Sequence, residues 1–256
     1  MGRIIAIANQ KGGVGKTTTA INLSAALAYN NKNVLLVDID PQSNSTRGVG
    51  FDASTMDKSI YKTCMLGQNI RDNIVPTNTK NLSLFPSSLD LAACEIDLAT
   101  KDNKFTILKD ELYKVKDDYD FIIIDTPPSL GILSLNALTA CDGVLIPMQC
   151  EYYSMEGLVM LLSTIRRVQQ SSNPNIEIEG ILLTMCDFRT KFACEVQKDV
   201  RQTFKDKVYK IGIPRNIKLV EASSRGKTII DYDINASSAK AYLEIASEVL
   251  RNGKTR

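Results

Sequence analysis

Apolar residues fall along this chain in two alternating rhythms. Residues 3–8 form a nearly unbroken apolar run, which suits a strand buried on both faces. Residues 18–29 carry Ala20, Leu23 and Leu27 at helical spacing, with Ile21 and Ala28 beside them, so a helix follows. A second strand at 34–37 ends in acid, and further buried strands are expected at 121–124, 144–146 and 181–185. Residues 155–168 place Met155, Leu158, Val159, Leu162 and Ile165 on one helical face. A helix at 192–204, a short strand at 208–211 and a helix at 237–250 complete the pattern. Residues 41–110 are the least readable, with short elements and polar turns.

Buried strands separated by helices predict an α/β fold: a doubly wound, mostly parallel sheet with helices on both faces. The chain of 256 residues shows no linker, low-complexity tract or repeat, so residues 1–256 are expected to form a single domain.

The turn between the first strand and the first helix carries the clearest chemistry. It reads Asn9, Gln10, Lys11, Gly12, Gly13, Val14, Gly15, Lys16, Thr17, Thr18. Strand, glycine-rich turn and helix is the setting of a phosphate-binding loop. Glycines let the backbone approach an anion, and N–H groups at the helix start then point at it. Lys16 would reach the β- and γ-phosphates, and the Thr17 hydroxyl would ligate Mg²⁺. The general pattern G-x-x-x-x-G-K-S/T wants glycine at position 10; Gln10 stands there, with the extra Lys11 beside it.

Two strand ends supply acids. Asp38 and Asp40 close the second strand, and Asp125 follows three isoleucines in the third. Ligands of open α/β sheets bind beyond such carboxyl ends. Asp125 is the candidate for Mg²⁺, directly or through its waters. Asp38 or Asp40 could orient an attacking water, although any of these acids could simply cap a helix or form a turn. A dinucleotide site is the weaker reading, because the loop lacks G-x-G-x-x-G.

Composition narrows the chemistry further. Apolar residues make up 44% and charged residues 23%, as in soluble globular proteins. No apolar run approaches the roughly 20 residues of a membrane span. The first strand begins too early for a signal peptide, and Ala6 stands where myristoylation wants Ser or Thr, so a cytoplasmic protein is expected. With no histidine and six cysteines, none paired as C-x-x-C, the usual zinc sites are improbable and histidine-based triads are excluded. Reduced, mostly buried thiols are expected. The net charge is only +2, yet residues 187–227 hold eleven basic against five acidic side chains. That asymmetry suits a polyanionic partner, or else a solvated amphipathic surface.

With these motifs in place, the chain resembles the ParA-type partitioning ATPases of the deviant-Walker superfamily, most of all the short Soj-like members. The resemblance rests on KGGVGKTT at 11–18, VDIDPQ at 37–42, IDTPPS at 124–129, PMQCEYY at 147–153 and IPRNIK at 213–218. It implies ATP and Mg²⁺ as cofactors and an ATP-sandwich homodimer. It implies that Lys11 crosses the interface to the partner copy's nucleotide, that Lys16 and Asp40 serve hydrolysis, and that Pro214 and Asn216 contact adenine. It further implies ATP-gated binding to DNA of any sequence through Arg189 and Lys218, with Arg225 and Lys227 adding charge, and release stimulated by a ParB-like partner at the nucleoid. Lys218 stands where arginine is more frequent, and Ser223 and Arg225 where proline and histidine are frequent, which puts that loop's shape in question. Larger members carry an N-terminal helix-turn-helix domain; a phosphate loop at residue 11 leaves no room for one.

Three competing readings differ in testable ways. A membrane-associated MinD-like ATPase would need an amphipathic C-terminal helix, whereas no membrane partner is expected here. An iron–sulfur ATPase would need cysteines facing a dimer axis, whereas Cys94 and Cys141 read as helix-packing positions. A nucleotide-gated binding module with negligible hydrolysis would tolerate loss of Asp40.

Overall fold

The computed structural model describes residues 2–151, 154–187 and 191–252. Its central strands are the apolar runs of the sequence: β1 (Arg3–Ile7), β2 (Val34–Asp38), then the short β3 (Val75–Pro76) and β4 (Leu82–Phe85), β5 (Phe121–Asp125), β6 (Gly143–Gln149) and β7 (Glu177–Thr184). They form one sheet in the order β3-β4-β2-β5-β1-β6-β7, parallel throughout except where β3 pairs antiparallel with β4.

Helices cover both faces. α1 (Lys16–Tyr29) is followed by α2 (Asn44–Gly48), α3 (Ile60–Leu66), α4 (Ile70–Asn73), α5 (Leu91–Ala99), α6 (Ile107–Tyr113) and α7 (Ile132–Ala140). The remainder are α8 (Ser154–Ser171), α9 (Lys191–Phe204), α10 (Ile217–Ser224), α11 (Ile229–Asp233) and α12 (Ser237–Asn252). Alternate strand residues sort the core into two layers, as the two-residue period of a strand requires. Ile5, Ile7, Leu36, Ile123 and Leu145 pack under α1, α11 and α12. Ile4, Ala6, Leu35, Ile122 and Ile146 pack under α7 and α8. The doubly wound, mostly parallel α/β fold is therefore as expected.

Residues 208–211 do not form the expected strand. Val208 makes one isolated bridge to Ile181, after a 3-10 turn at Lys205–Lys207. Tyr209 N–H then bonds to Ile181 and Ile213 N–H to Leu183. Four residues on this segment thus span two on β7, a bulge that prevents a regular ladder. The helix expected from residue 18 begins at Lys16, so Lys16 and Thr17 are its first residues.

No helix among the described residues is long and apolar enough to cross a membrane. The apolar side of α12 (Ala239, Tyr242, Ile245, Val249) is spent on the core against α1, which leaves it no apolar face for a lipid surface.

Candidate functional site

The register explains why the chemistry collects where it does. Ile7 lies opposite Asp125, and Asp38 opposite the same residue on the other side. The carboxyl ends of β1, β2 and β5 therefore open together, and the turns that follow share one cleft. That cleft, ≈ 350 Å³, is lined by Gly12, Gly13, Lys16, Thr17, Asp40 and Met185, among others.

The loop is built to receive an anion. Gly13 and Gly15 have φ values of 72° and 87°, a left-handed backbone that glycine adopts without cost. Gly15 heads α1 with no side-chain cap, and no acid stands in the first turn, so the N–H groups there are free for phosphate oxygens. Asn9 anchors the base of the loop: its amide donates to the Pro147 carbonyl at 2.6 Å and its oxygen accepts from Lys11 N–H. Gln149 donates to the Gly13 carbonyl, and Thr184 to that of Val14. Lys16 arches back over the loop, its Nζ donating to the Lys11 carbonyl at 3.3 Å. Burial lowers its pKa, while Asp125 and Asp40 pull the other way. An ammonium half stripped of water in this position suits a polyphosphate.

The acids divide into distinct roles. Asp38 is fully buried and committed: one oxygen accepts from Thr46 N–H and Thr46 hydroxyl, the other from Asp40 N–H. It ties α2 to β2. Asp40 lines the cleft, and its carboxylate is held by Gln42 N–H at 2.9 Å. Between the two candidates for orienting a water, the geometry favours Asp40. Asp125 accepts from the Ser45 hydroxyl at 2.7 Å through one oxygen, while its other oxygen is buried without a partner. Burial pushes it up to about 6, with the Ser45 and Thr17 hydroxyls beside it pulling down. An orphaned buried carboxylate oxygen facing the start of α1 is the feature a hydrated Mg²⁺ would satisfy.

A second hollow of ≈ 210 Å³ is bounded by Gly15, Thr18, Met185, Pro214, Asn216 and Tyr242. Gly15, Thr18 and Met185 border both, so the two hollows adjoin at the phosphate loop. Pro214 and Asn216 are thus brought to the loop although about 200 residues separate them in sequence. Asn216 also caps α10, accepting from Lys218 N–H, and donates to the Ser237 hydroxyl. A larger hollow of ≈ 440 Å³ near Leu135, Thr139 and Arg167 contains no such loop.

Three of the four expected DNA contacts lie on one exposed surface around α10. Lys218 is ion-paired to Asp233. Arg225 lies 5.3 Å over the Tyr232 ring, and Lys227 is exposed. Arg189 falls outside the described residues, as do Tyr152 and Tyr153. Lys11 sits next to the cleft-lining Gly12, with its Nζ 2.6 Å from Glu151.

Sequence reasoning gave no role to Asn9, Ser45, Thr184 or Met185. Met185 has a signal only in three dimensions, a positive φ of 50° that a side-chain-bearing residue rarely adopts. Ser45 lies in the stretch where no periodicity was readable.

A family described as an AAA domain matches residues 2–178. Over 253 residues the chain is 51% identical to the sporulation initiation inhibitor protein Soj of Bacillus subtilis (strain 168), covering 99% of this chain and 100% of that one. It is 47% identical over 251 residues to the chromosome partitioning protein ParA of Myxococcus xanthus, covering 98% and 89% respectively. Among solved structures, the cobyrinic acid a,c-diamide synthase of Mycobacterium smegmatis with bound ADP and magnesium superposes with a TM-score of 0.88, at 37% identity over 99% of this chain and 96% of that one. Identity at this level along nearly the whole length, on a sheet that carries its phosphate loop at the end of β1, means that the chain belongs to the Soj and ParA family of chromosome-partitioning ATPases.

Proposed function

We propose that the protein is a nucleotide-gated partitioning switch. Two copies close as a sandwich around bound MgATP, the dimer grips DNA without regard to sequence, and hydrolysis stimulated by a ParB-like partner at the nucleoid releases it. The observation that carries this reading is the phosphate-loop cleft adjoining the hollow bounded by Pro214 and Asn216, with Lys11 next to the cleft-lining Gly12 and partly exposed.

The residue roles are those the family resemblance implies, and the positions of the side chains support them. The 12–15 backbone and Lys16 hold the β- and γ-phosphates. Thr17 and Asp125 would hold the metal. Pro214 and Asn216 bound the adenine. Asp40 aligns the attacking water, and Lys11 of one copy reaches the γ-phosphate in the other, adding a cation where negative charge develops. Bound ATP supplies the phosphoanhydride bond, and Mg²⁺ neutralises charge on its oxygens. Turnover is slow in the isolated chain, because the Lys11 that serves its γ-phosphate belongs to a second copy that has not docked.

Binding to a DNA duplex of arbitrary sequence tests this reading. It is measured with MgATP, MgADP and no nucleotide, at two salt concentrations, for the wild type, Lys16→Ala and Arg189→Ala/Lys218→Ala. Binding only with ATP, steeply weakened by salt and lost in both variants, is expected. Binding that ignores the nucleotide refutes the switch.

A further inference from the structure

Cys150 follows β6 and Cys186 follows β7, neighbouring strands in which Gln149 lies opposite Thr184. In a regular ladder these two cysteines would be one residue out of step and face opposite sides of the sheet. Met185 breaks the alternation with its left-handed backbone, and both cysteines pack against the same core layer. The Cys186 thiol donates to the Cys150 sulfur, and Cys150 is only half-buried.

The surroundings set the two sulfurs apart from the other thiols. The hydrogen bond from Cys186 draws Cys150 below the ordinary thiol range; burial opposes this, and the Arg201 guanidinium of α9 adds to it. Cys186, as the donor, is raised. Burial pushes Cys64, Cys94 and Cys141 up to about 12, which leaves them inert. A partly exposed thiol whose ionisation is favoured by a neighbouring sulfur and a cation is the arrangement of a reactive and a resolving cysteine.

The pair is also wired to the nucleotide cleft. Gln149, before Cys150, donates to the Gly13 carbonyl, and Glu151, after it, holds Lys11. Met185, before Cys186, borders both hollows. Cys186 itself pairs through its backbone with Ile213 and Pro214. A covalent S–S bond draws the two sulfurs to about 2 Å, and because these flanking residues hold the loop, closure shifts both strand ends.

We propose that Cys150 and Cys186 form a reversible dithiol–disulfide site whose oxidant is a hydroperoxide, and that its closure weakens nucleotide binding. The Cys150 thiolate attacks a peroxide oxygen and the O–O bond breaks, giving a sulfenic acid and hydroxide. The Cys186 sulfur then attacks the Cys150 sulfur, the S–O bond breaks, and the departing hydroxyl leaves as water with the Cys186 proton. Two thiols and one hydrogen peroxide become one disulfide and two waters. Formation of the bond stands independently of the proposed function; its coupling to nucleotide rests on that function.

Full-length protein is treated with hydrogen peroxide, digested with trypsin and Asp-N without reduction, and mapped by mass spectrometry. This digest places Cys141, Cys150, Cys186 and Cys194 on separate peptides. A linked Cys150–Cys186 peptide is expected, with two thiols lost per chain and both restored by dithiothreitol. Affinity for a fluorescent ATP analogue should fall at least threefold on oxidation and recover on reduction, while Cys150→Ser shows neither change. Absence of that linked peptide, with Cys150 carried instead to sulfinic acid or joined to another cysteine, overturns the site. A linked peptide with unchanged affinity overturns the coupling alone. Failure of the reduced protein to bind the analogue counts against the nucleotide reading and leaves the disulfide result intact.

Discussion

Lys11 Nζ lies 2.6 Å from Glu151 Oε2, so the lysine proposed to act in a neighbouring copy is engaged by its own chain. Both side chains are partly exposed, and such pairs contribute only ~0–1 kcal/mol. Glu151→Gln should therefore raise the ATP-dependent dimer fraction by at most about fivefold, as read by sedimentation. Lys11→Ala should leave nucleotide binding nearly unchanged while lowering phosphate release by ~10³-fold, the scale of a cation supplied in trans. An unchanged dimer equilibrium in Glu151→Gln would show that the pair does not restrain assembly.

Asp38 and Asp40 differ by two positions and should behave in opposite ways. Asp40→Ala should reduce phosphate release by about 10²-fold or more and leave the melting temperature nearly unchanged. Asp38→Ala strands three buried donors and should cost roughly 2–4 kcal/mol of stability. Denaturant melts of both variants, paired with phosphate-release assays, check this; a stable but inactive Asp38→Ala would reverse the assignment.

Burial, with Asp125 beside it, raises Asp38 to about 8. The folded chain then keeps a proton that the unfolded chain gives up above its ordinary carboxylate range. Stability from this group is full below about pH 4 and is lost as pH rises toward 8. Asp38→Asn keeps one acceptor and cannot ionise, so the difference in stability between wild type and variant should shift in the variant's favour between pH 5 and pH 8.5. A pH-independent difference in urea melts without nucleotide would contradict this.

Contacts to DNA phosphates release counterions, each worth about 0.9 in the slope of log K against log salt. Arg225→Ala/Lys227→Ala should flatten that slope by about 2. Asp233→Asn, by freeing Lys218 from its ion pair, should strengthen binding. Equal slopes for the wild type and the double variant would remove these two residues from the DNA surface.

The strands that organise the site were readable because they are buried on both faces, which writes them as runs such as Ile122 to Ile124. The phosphate loop was readable because it must use glycine and lysine in fixed order. By contrast, residues 41–110 fold into α2 to α6 with short, polar-flanked helices that leave too few turns for periodicity to emerge. α10 and α11 were missed for the same reason, since Ile217 and Val220 are exposed and mimic no amphipathic pattern. Ser45, Thr184 and Met185 act through partners 80 or more positions away or through backbone shape, neither of which a linear reading supplies. The strand expected at 208–211 was apolar enough, but its hydrogen bonds follow a bulge.

The two margins of the sheet have a further consequence for what this protein can become when concentrated. One margin is β3, two residues long and ending in Pro76, which has no N–H to donate. The other is β7, overlaid by the bulged 208–214 segment. Neither margin offers another chain a long row of open backbone groups, so crowding should not seed fibrous stacking of the kind that exposed strand borders invite. The assembly proposed above, at the nucleotide cleft, would use neither margin.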